Sequence, residues 1–170
     1  DTNAIKTQLL ARDALTLIGY EQGFVQDMNK NEVVPDWKVV TVFVPDRVSP
    51  SVTHFDLDLN NGTFTVYFDE SINTSTAIAQ RVTFSIGNFL HVLQSGEPVL
   101  TGVSSQVTMR LAGFDLNSFK KAKFSLSPSD IVATFAEGFV TDSSIAATNS
   151  DAATLSIGFG EFIDDVTAPT

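Results

Sequence analysis

The stretch Thr53–Phe68, THFDLDLNNGTFTVYF, decides the fold. Phe55, Leu57 and Leu59 alternate with polar residues, and Phe64, Val66 and Phe68 do so again after the intervening NNG. A period of two places each set on one face of an extended strand. Asn60, Asn61 and Gly62 predict a tight hairpin turn, because Asn and Gly tolerate the positive φ that its central positions need. One apolar face and one wet face is the pattern of an antiparallel sheet packed on a core from one side.

Further runs follow at the spacing of an all-β domain. RVTFSI (81–86), FLHVL (89–93), PVLTGV (98–103), QVTMRL (106–111), DIVATF (130–135) and ATLSIGF (153–159) read as strands. Nearer the start, ALTLIGY (14–20) and WKVVTVFV (37–44) do so too. Two short helical turns are expected. STAIAQ (75–80) lacks strand alternation, and DLNSFKKAK (115–123) opens on Asp115, a good N-cap, and ends in lysines that suit the helix dipole. These elements predict an all-β, immunoglobulin-like antiparallel sandwich with a short helical turn in a crossover; a barrel is the runner-up.

The chain also repeats itself. GFVQD (23–27) returns as GFVTD (138–142), 115 residues later (138 − 23). DTNAIK (1–6) falls against DLNSFK (115–120), and DRVSP (46–50) against DDVTAP (164–169). The anchors keep their order, and their small drift sits where loops take insertions. Residues 1–47 therefore read as the C-terminal part of one repeat, 48–166 as one complete repeat, and 167–170 as a linker to the next. The first residues are polar, without the apolar run of a signal peptide.

Composition narrows the function. Fourteen Phe provide ample material for a core. A net charge of −10 is the wrong sign for nucleic acid and for anionic membrane surfaces. With no cysteine there is no thiol chemistry, no thiolate zinc site and no disulfide. No apolar run approaches the roughly 18 residues of a membrane helix. The sequons at Asn61 and Asn73 are candidate glycosylation sites on a secreted route.

FDLDLNNGTFTVYFDESIN (55–73) resembles the opening of immunoglobulin-like tandem repeats in very large extracellular surface and filament proteins of microbial eukaryotes, such as flagellar-hair or adhesin arrays. DTNAIK with VQDMNKNEVVP (25–35) resembles their later part, although Asn29-Lys30-Asn31 lacks the Gly of that pattern and DSSIAATN (142–149) departs further. The resemblance implies a sandwich architecture and a structural role at the cell surface; a likeness of fold does not fix a function.

Chemistry-bearing residues are few. Asp164 and Asp165 precede the Pro-containing linker, Asp46 is their counterpart in the first copy, and Asp69 and Glu70 end a strand that reaches the same junction. Asp164, Asp165, Asp69 and Glu70 are the candidate calcium ligands, since calcium takes six to eight oxygens. Asp56 and Asp58 alternate on a strand opposite its apolar set and read as a solvated outer face. His54 and His91 stand in no metal-binding spacing, and no nucleophile elbow occurs, so no enzyme is expected. Trp37 and Tyr67 are candidates for stacking on sugar, with core packing favoured for Trp37. The reading that results is a structural repeat segment of a long extracellular filament or cell-surface stalk, a spacer and assembly unit whose partners are neighbouring repeats or other copies. The alternative is an adhesin-type binding module for glycan or calcium.

Overall fold

A computed structural model describes residues 15–122, 128–144, 147–157 and 160–166. DTNAIK and the final linker lie outside these residues. The order of elements is β1 (Leu17–Tyr20), β2 (Asp36–Val39), β3 (Val52–Asp58), β4 (Thr63–Asn73), β5 (Val82–Ile86), β6 (Phe89–Val92), β7 (Gly96–Pro98), β8 (Val103–Leu111), α1 (Gly113–Lys121), β9 (Val132–Phe135), β10 (Thr141–Asp142), β11 (Ala153–Ser156) and β12 (Phe162–Ile163).

Residues from 52 onward form a two-sheet sandwich. One sheet runs β12-β3-β4-β8-β7, with β10 also on β4; the other runs β11-β9-β5-β6. Neither closes on itself, which excludes the barrel. In immunoglobulin lettering β3, β4, β8 and β7 occupy A, B, E and D, while β11, β9, β5 and β6 occupy G, F, C and C′. Helix α1 makes the E-to-F crossover between the sheets. All pairs are antiparallel except β12, which runs parallel to β3.

The alternation in β3 and β4 places its residues as expected: Phe55, Leu57, Phe64, Val66 and Phe68 are buried between the sheets. The turn differs. Asp58 pairs with Thr63, leaving a four-residue loop, 59–62, and Gly62 alone among these takes a positive φ, of 66°. Asp58 explains it, because its Oδ1 accepts from the N–H groups of both Asn60 and Asn61 at 2.9 Å. This is an Asx-type local bond that competes with the tighter turn. PVLTGV is likewise no strand: β7 ends at Pro98 and β8 begins at Val103.

Asp115 does not cap α1. Ala112 occupies the N-cap, and Asp115 lies buried in the first turn. There it accepts from His91 Nε2 at 2.7 Å and from the backbone N–H of Gln94 at 3.1 Å and Ser95 at 3.3 Å. Tertiary partners outbid the local cap, and the helix is pinned across the end of the C′ strand. Its inward residue, Phe119, meets Phe84 edge-to-face at 5.0 Å. Phe84 also meets Phe64 at 5.5 Å and Phe55 at 5.9 Å, both edge-to-face. One ring of β5 thus touches both strands of the facing hairpin and the helix.

β1 and β2 form a separate two-stranded sheet. It reproduces the β9–β11 hairpin. Leu17 pairs with Val39 and Tyr20 with Asp36; Val132 pairs with Ser156 and Phe135 with Ala153. The offsets are 115 on the first strand and 117 on the second, and the register is the same. Flanking bonds match too: Val40 N donates to Thr16 O as Ile157 N does to Ile131 O, and Val33 N to Val25 O as Ser150 N does to Val140 O. Gly23 and Gly138 both take positive φ, 87° and 74°. Asp27 and Asp142 each accept, through Oδ1, from the N–H two residues on.

Burial is where the two hairpins part. Phe139, Val140 and Ala133 are fully buried, whereas their counterparts Phe24, Val25 and Ile18 are 75%, 55% and 62% exposed. Trp37, for which core packing was expected, is 66% exposed. It lies on the outer face against Gly19, where any Cβ would meet the indole ring at 2.5 Å. That position is outward in the second hairpin also, where Thr154 and Thr134 share a hydroxyl contact of 3.2 Å.

Because Phe84 joins both sheets and α1, Phe84→Ala is expected to cost about 3–5 kcal/mol. Urea unfolding of the variant measures this; a loss below about 1 kcal/mol would mean that the rings are not energetically joined.

A candidate metal centre at the junction

Three carboxylates converge where residues 46–51 enter the sandwich. Oxygens of Asp46, Glu70 and Asp142 lie within 4.8 Å of one another. Glu70 and Asp142 are buried and Asp46 is half-buried. Each arrives by a different route. Asp46 comes from the segment between the front hairpin and β3, and its Oδ1 accepts from Val48 N at 3.0 Å. Glu70 lies in β4 where the β4–β8 register shifts between Tyr67 and Ile72. Alternation continues past buried Phe68 to exposed Asp69 and buried Glu70, and it breaks at Ser71, which is buried between Glu70 and Ile72. Asp142 ends GFVTD and pairs with Ile72 across the β10–β4 bridge.

The entering segment is tied down on all sides. The Thr148 hydroxyl lies 2.9 Å from Val48 O and 3.3 Å from Asp142 Oδ2. Asp151 N donates to Pro50 O at 3.1 Å. Ser51 N donates to Asp69 Oδ1 at 2.8 Å, and Asp69 N to Ser51 O at 3.1 Å. Chain segments a hundred residues apart therefore fix where the three oxygens sit. Two unit charges at 4.8 Å repel by about 3.5 kcal/mol at an effective dielectric of about 20. An all-oxygen donor set held this way fits a hard cation such as calcium. The turn after Asp142 holds two further buried oxygens, Ser143 Oγ and Ser144 Oγ, without a hydrogen-bond partner.

Of the four carboxylates expected at the junction, the structure places only Glu70 in this cluster. Asp69 holds Ser51, as above. Asp165 pairs with Lys120 at 2.7 Å, and Asp164 accepts from Asp165 N. Asp46, the counterpart of Asp164, does belong to the cluster. Asp142 was missed as a ligand although it anchors the repeat motif; its recurrence at the end of both GFV runs was the available signal.

The other candidates have local roles. Asn61 is exposed in the hairpin loop, donating to Asp58 Oδ2 at 2.6 Å. Asn73 caps the turn Thr74–Thr76, accepting from Ser75 N at 3.2 Å. His91 serves Asp115. His54 stacks on Tyr67 at 4.1 Å and 7°, which covers one face of the ring that sugar stacking would use. Tyr67 donates to Asp56 Oδ2 at 2.8 Å, and Asp56 Oδ1 accepts from Glu161 N at 2.7 Å. Asp56 is thus less a solvated charge than a clasp between the sheet and the exit strand. Among the described residues no helix is long and apolar enough to cross a membrane.

No known family matches the chain, and no curated protein matches it. Among solved structures the chain is similar to the N-terminal part of the bacterial S-layer protein SbsC, at 14% identity and a TM-score of 0.41. The match covers 72% of this chain and 25% of that one. A likeness of that degree carries no argument about fold or role.

The Tyr67 phenol is pushed above its ordinary value, first by the bond to Asp56 and next by burial. A raised folded pKa means that the clasp stabilises the fold below the unfolded value of about 10 and that this contribution is lost as pH rises through the folded value. Ultraviolet titration should show one tyrosine ionising late, and Asp56→Asn should bring it down. An unchanged titration in that variant would remove Asp56 as the cause.

Proposed function

We propose that this chain is a structural repeat segment of a long extracellular filament or cell-surface stalk, acting as spacer and assembly unit. The observation that carries this reading is the duplicated hairpin. The same register, glycine turn and aspartate cradle occur twice, once closed into a sandwich and once with its apolar face open. Such a chain is a window on an array whose units continue from one to the next. The segment between the units supports it: residues 46–51 are bonded to β4 and to the loop between β10 and β11, through Thr148 and Asp151, which limits bending at the joint. The partners are neighbouring repeats of the same kind, and the location is the outer cell surface.

The carboxylate cluster favours a second reading within the same role, calcium held at the joint by Asp46, Glu70 and Asp142. The ion would neutralise the repulsion among them and stiffen the junction, in the way ion binding to the folded state stabilises it by mass action.

Two measurements test these readings separately. The mass of the native polypeptide should greatly exceed the 18.3 kDa of these residues; a native mass near that value would refute the array. Calcium at about 100 times its dissociation constant should raise stability by about 2.7 kcal/mol, and the increment should vanish in Glu70→Gln. No heat of binding at millimolar calcium would remove the ion and leave the spacer role standing.

A further inference from the structure

The front hairpin has an exposed edge as well as an exposed face. Thr16 bonds toward β2, so by antiparallel alternation Leu17 and Gly19 turn their backbone groups the other way. Among the described residues no strand lies on that side of β1. In the second hairpin the same side of β9 is filled by β5. There Val82 stands opposite Phe135, Thr83 opposite Thr134, Phe84 opposite Ala133 and Ser85 opposite Val132. Ala136 N extends the ladder to Arg81 O at 2.8 Å.

We infer that the open edge of β1, with Ile18, Phe24 and Val25 below it, receives a C-type strand from another sandwich of this kind, joined ahead of residue 1. This deepens the repeat reading and rests on it. The register follows from the closed copy. The incoming strand runs antiparallel to β1, and its equivalents of Val82, Thr83, Phe84 and Ser85 stand opposite Tyr20, Gly19, Ile18 and Leu17. The carbonyl of its Arg81 equivalent, just ahead of the strand, receives the N–H of Glu21.

Side-chain size also selects the occupant. Ala133, the residue opposite Phe84, is replaced by Ile18 in the front hairpin. A second Phe there would overfill the site, since extra methylenes in a packed core force strain. The occupant therefore carries a smaller apolar residue at that position. This disfavours a second copy of this chain, whose own β5 is already paired on both edges by β6 and β9. It fits a neighbouring repeat of the same architecture whose own last hairpin is β1–β2.

The test uses the full chain, alone and extended. A second copy of residues 48–114, carrying Phe84→Val, is fused ahead of Asp1, because Asp1 corresponds to Asp115. Amide hydrogen exchange is read at Leu17, Gly19 and Glu21. In the extended chain these amides should slow by about 100-fold or more relative to the 170-residue chain. Ile18→Asp in the extended chain should restore fast exchange there while leaving Val132–Phe135 protected. Fast exchange at Leu17 and Gly19 overturns the inference, whether the added segment is itself protected or not, since a sandwich of this kind is required to close on this hairpin. Protection that instead appears in the unextended chain and grows with concentration also overturns it, because a second copy would then be the occupant. The native mass measurement is independent of every one of these outcomes.

Discussion

A β-hairpin has two edges and two faces. Water can satisfy an exposed edge, but it gains nothing from an apolar face, and a lone two-stranded ribbon is marginal on its own. The structure contains both situations with the same backbone. Around β9 and β11, a neighbouring strand supplies hydrogen bonds on one side and the facing sheet supplies Phe55, Phe64 and Phe68 below. Around β1 and β2 neither is supplied by the described residues, and Phe24 stands where Phe139 is buried. The same local pattern of turn, glycine and aspartate accompanies the same hairpin in both places. Burial is not a property of the hairpin at all; it is conferred by whatever packs against it.

That separation explains what was legible in the sequence. Period-two alternation reports which face is apolar, so the core residues of β3, β4, β5 and β8 could be read directly. The repeat could be read because GFVQD and GFVTD carry the residues that shape the turn. Trp37 could not be placed, since its position faces outward in both hairpins and only the partner strand's Gly19 reveals that the indole lies over backbone. Nor could the role of Asp115. Its sequence context is that of an N-cap, and the competing partners His91, Gln94 and Ser95 are some twenty residues away in the chain. The NNG turn failed for a local reason: Asp58 offers two backbone amides a better acceptor than the tighter turn does.

The junction carboxylates were half legible. Their location near the entering segment followed from the acidic residues that flank it, but their membership depended on which distant segments meet the end of β4, Asp142 through β10 and Asp46 through the entering segment. Strict alternation from Phe68 already leaves Asp69 outside and buries Glu70; the register shift adds Ser71, buried between Glu70 and Ile72. Glu70 meets Asp142 because β10 pairs with the end of β4, with Asp142 opposite Ile72, and Asp46 joins them from the entering segment. The GFV turn, the end of β4 and the entering segment thus form one unit.

The equivalence of the two hairpins has a definite end, and the end is informative. It holds through Val40 and Ile157, whose amides bond in the same way. Just beyond, Gly160 passes so close to the backbone of Phe55 that a Cβ would strike its carbonyl. Residues 42–44, the nearest counterparts, are Val, Phe and Val. No side chain fits that approach, so the exit from the first unit cannot follow the path by which β12 reaches β3. The hairpin is the constant part of the repeat, and the segment after it is variable. On the repeat reading proposed above, the sandwich would close by a shared rule at the hairpin, while the path out of each unit would depend on which side chains stand just after its last strand.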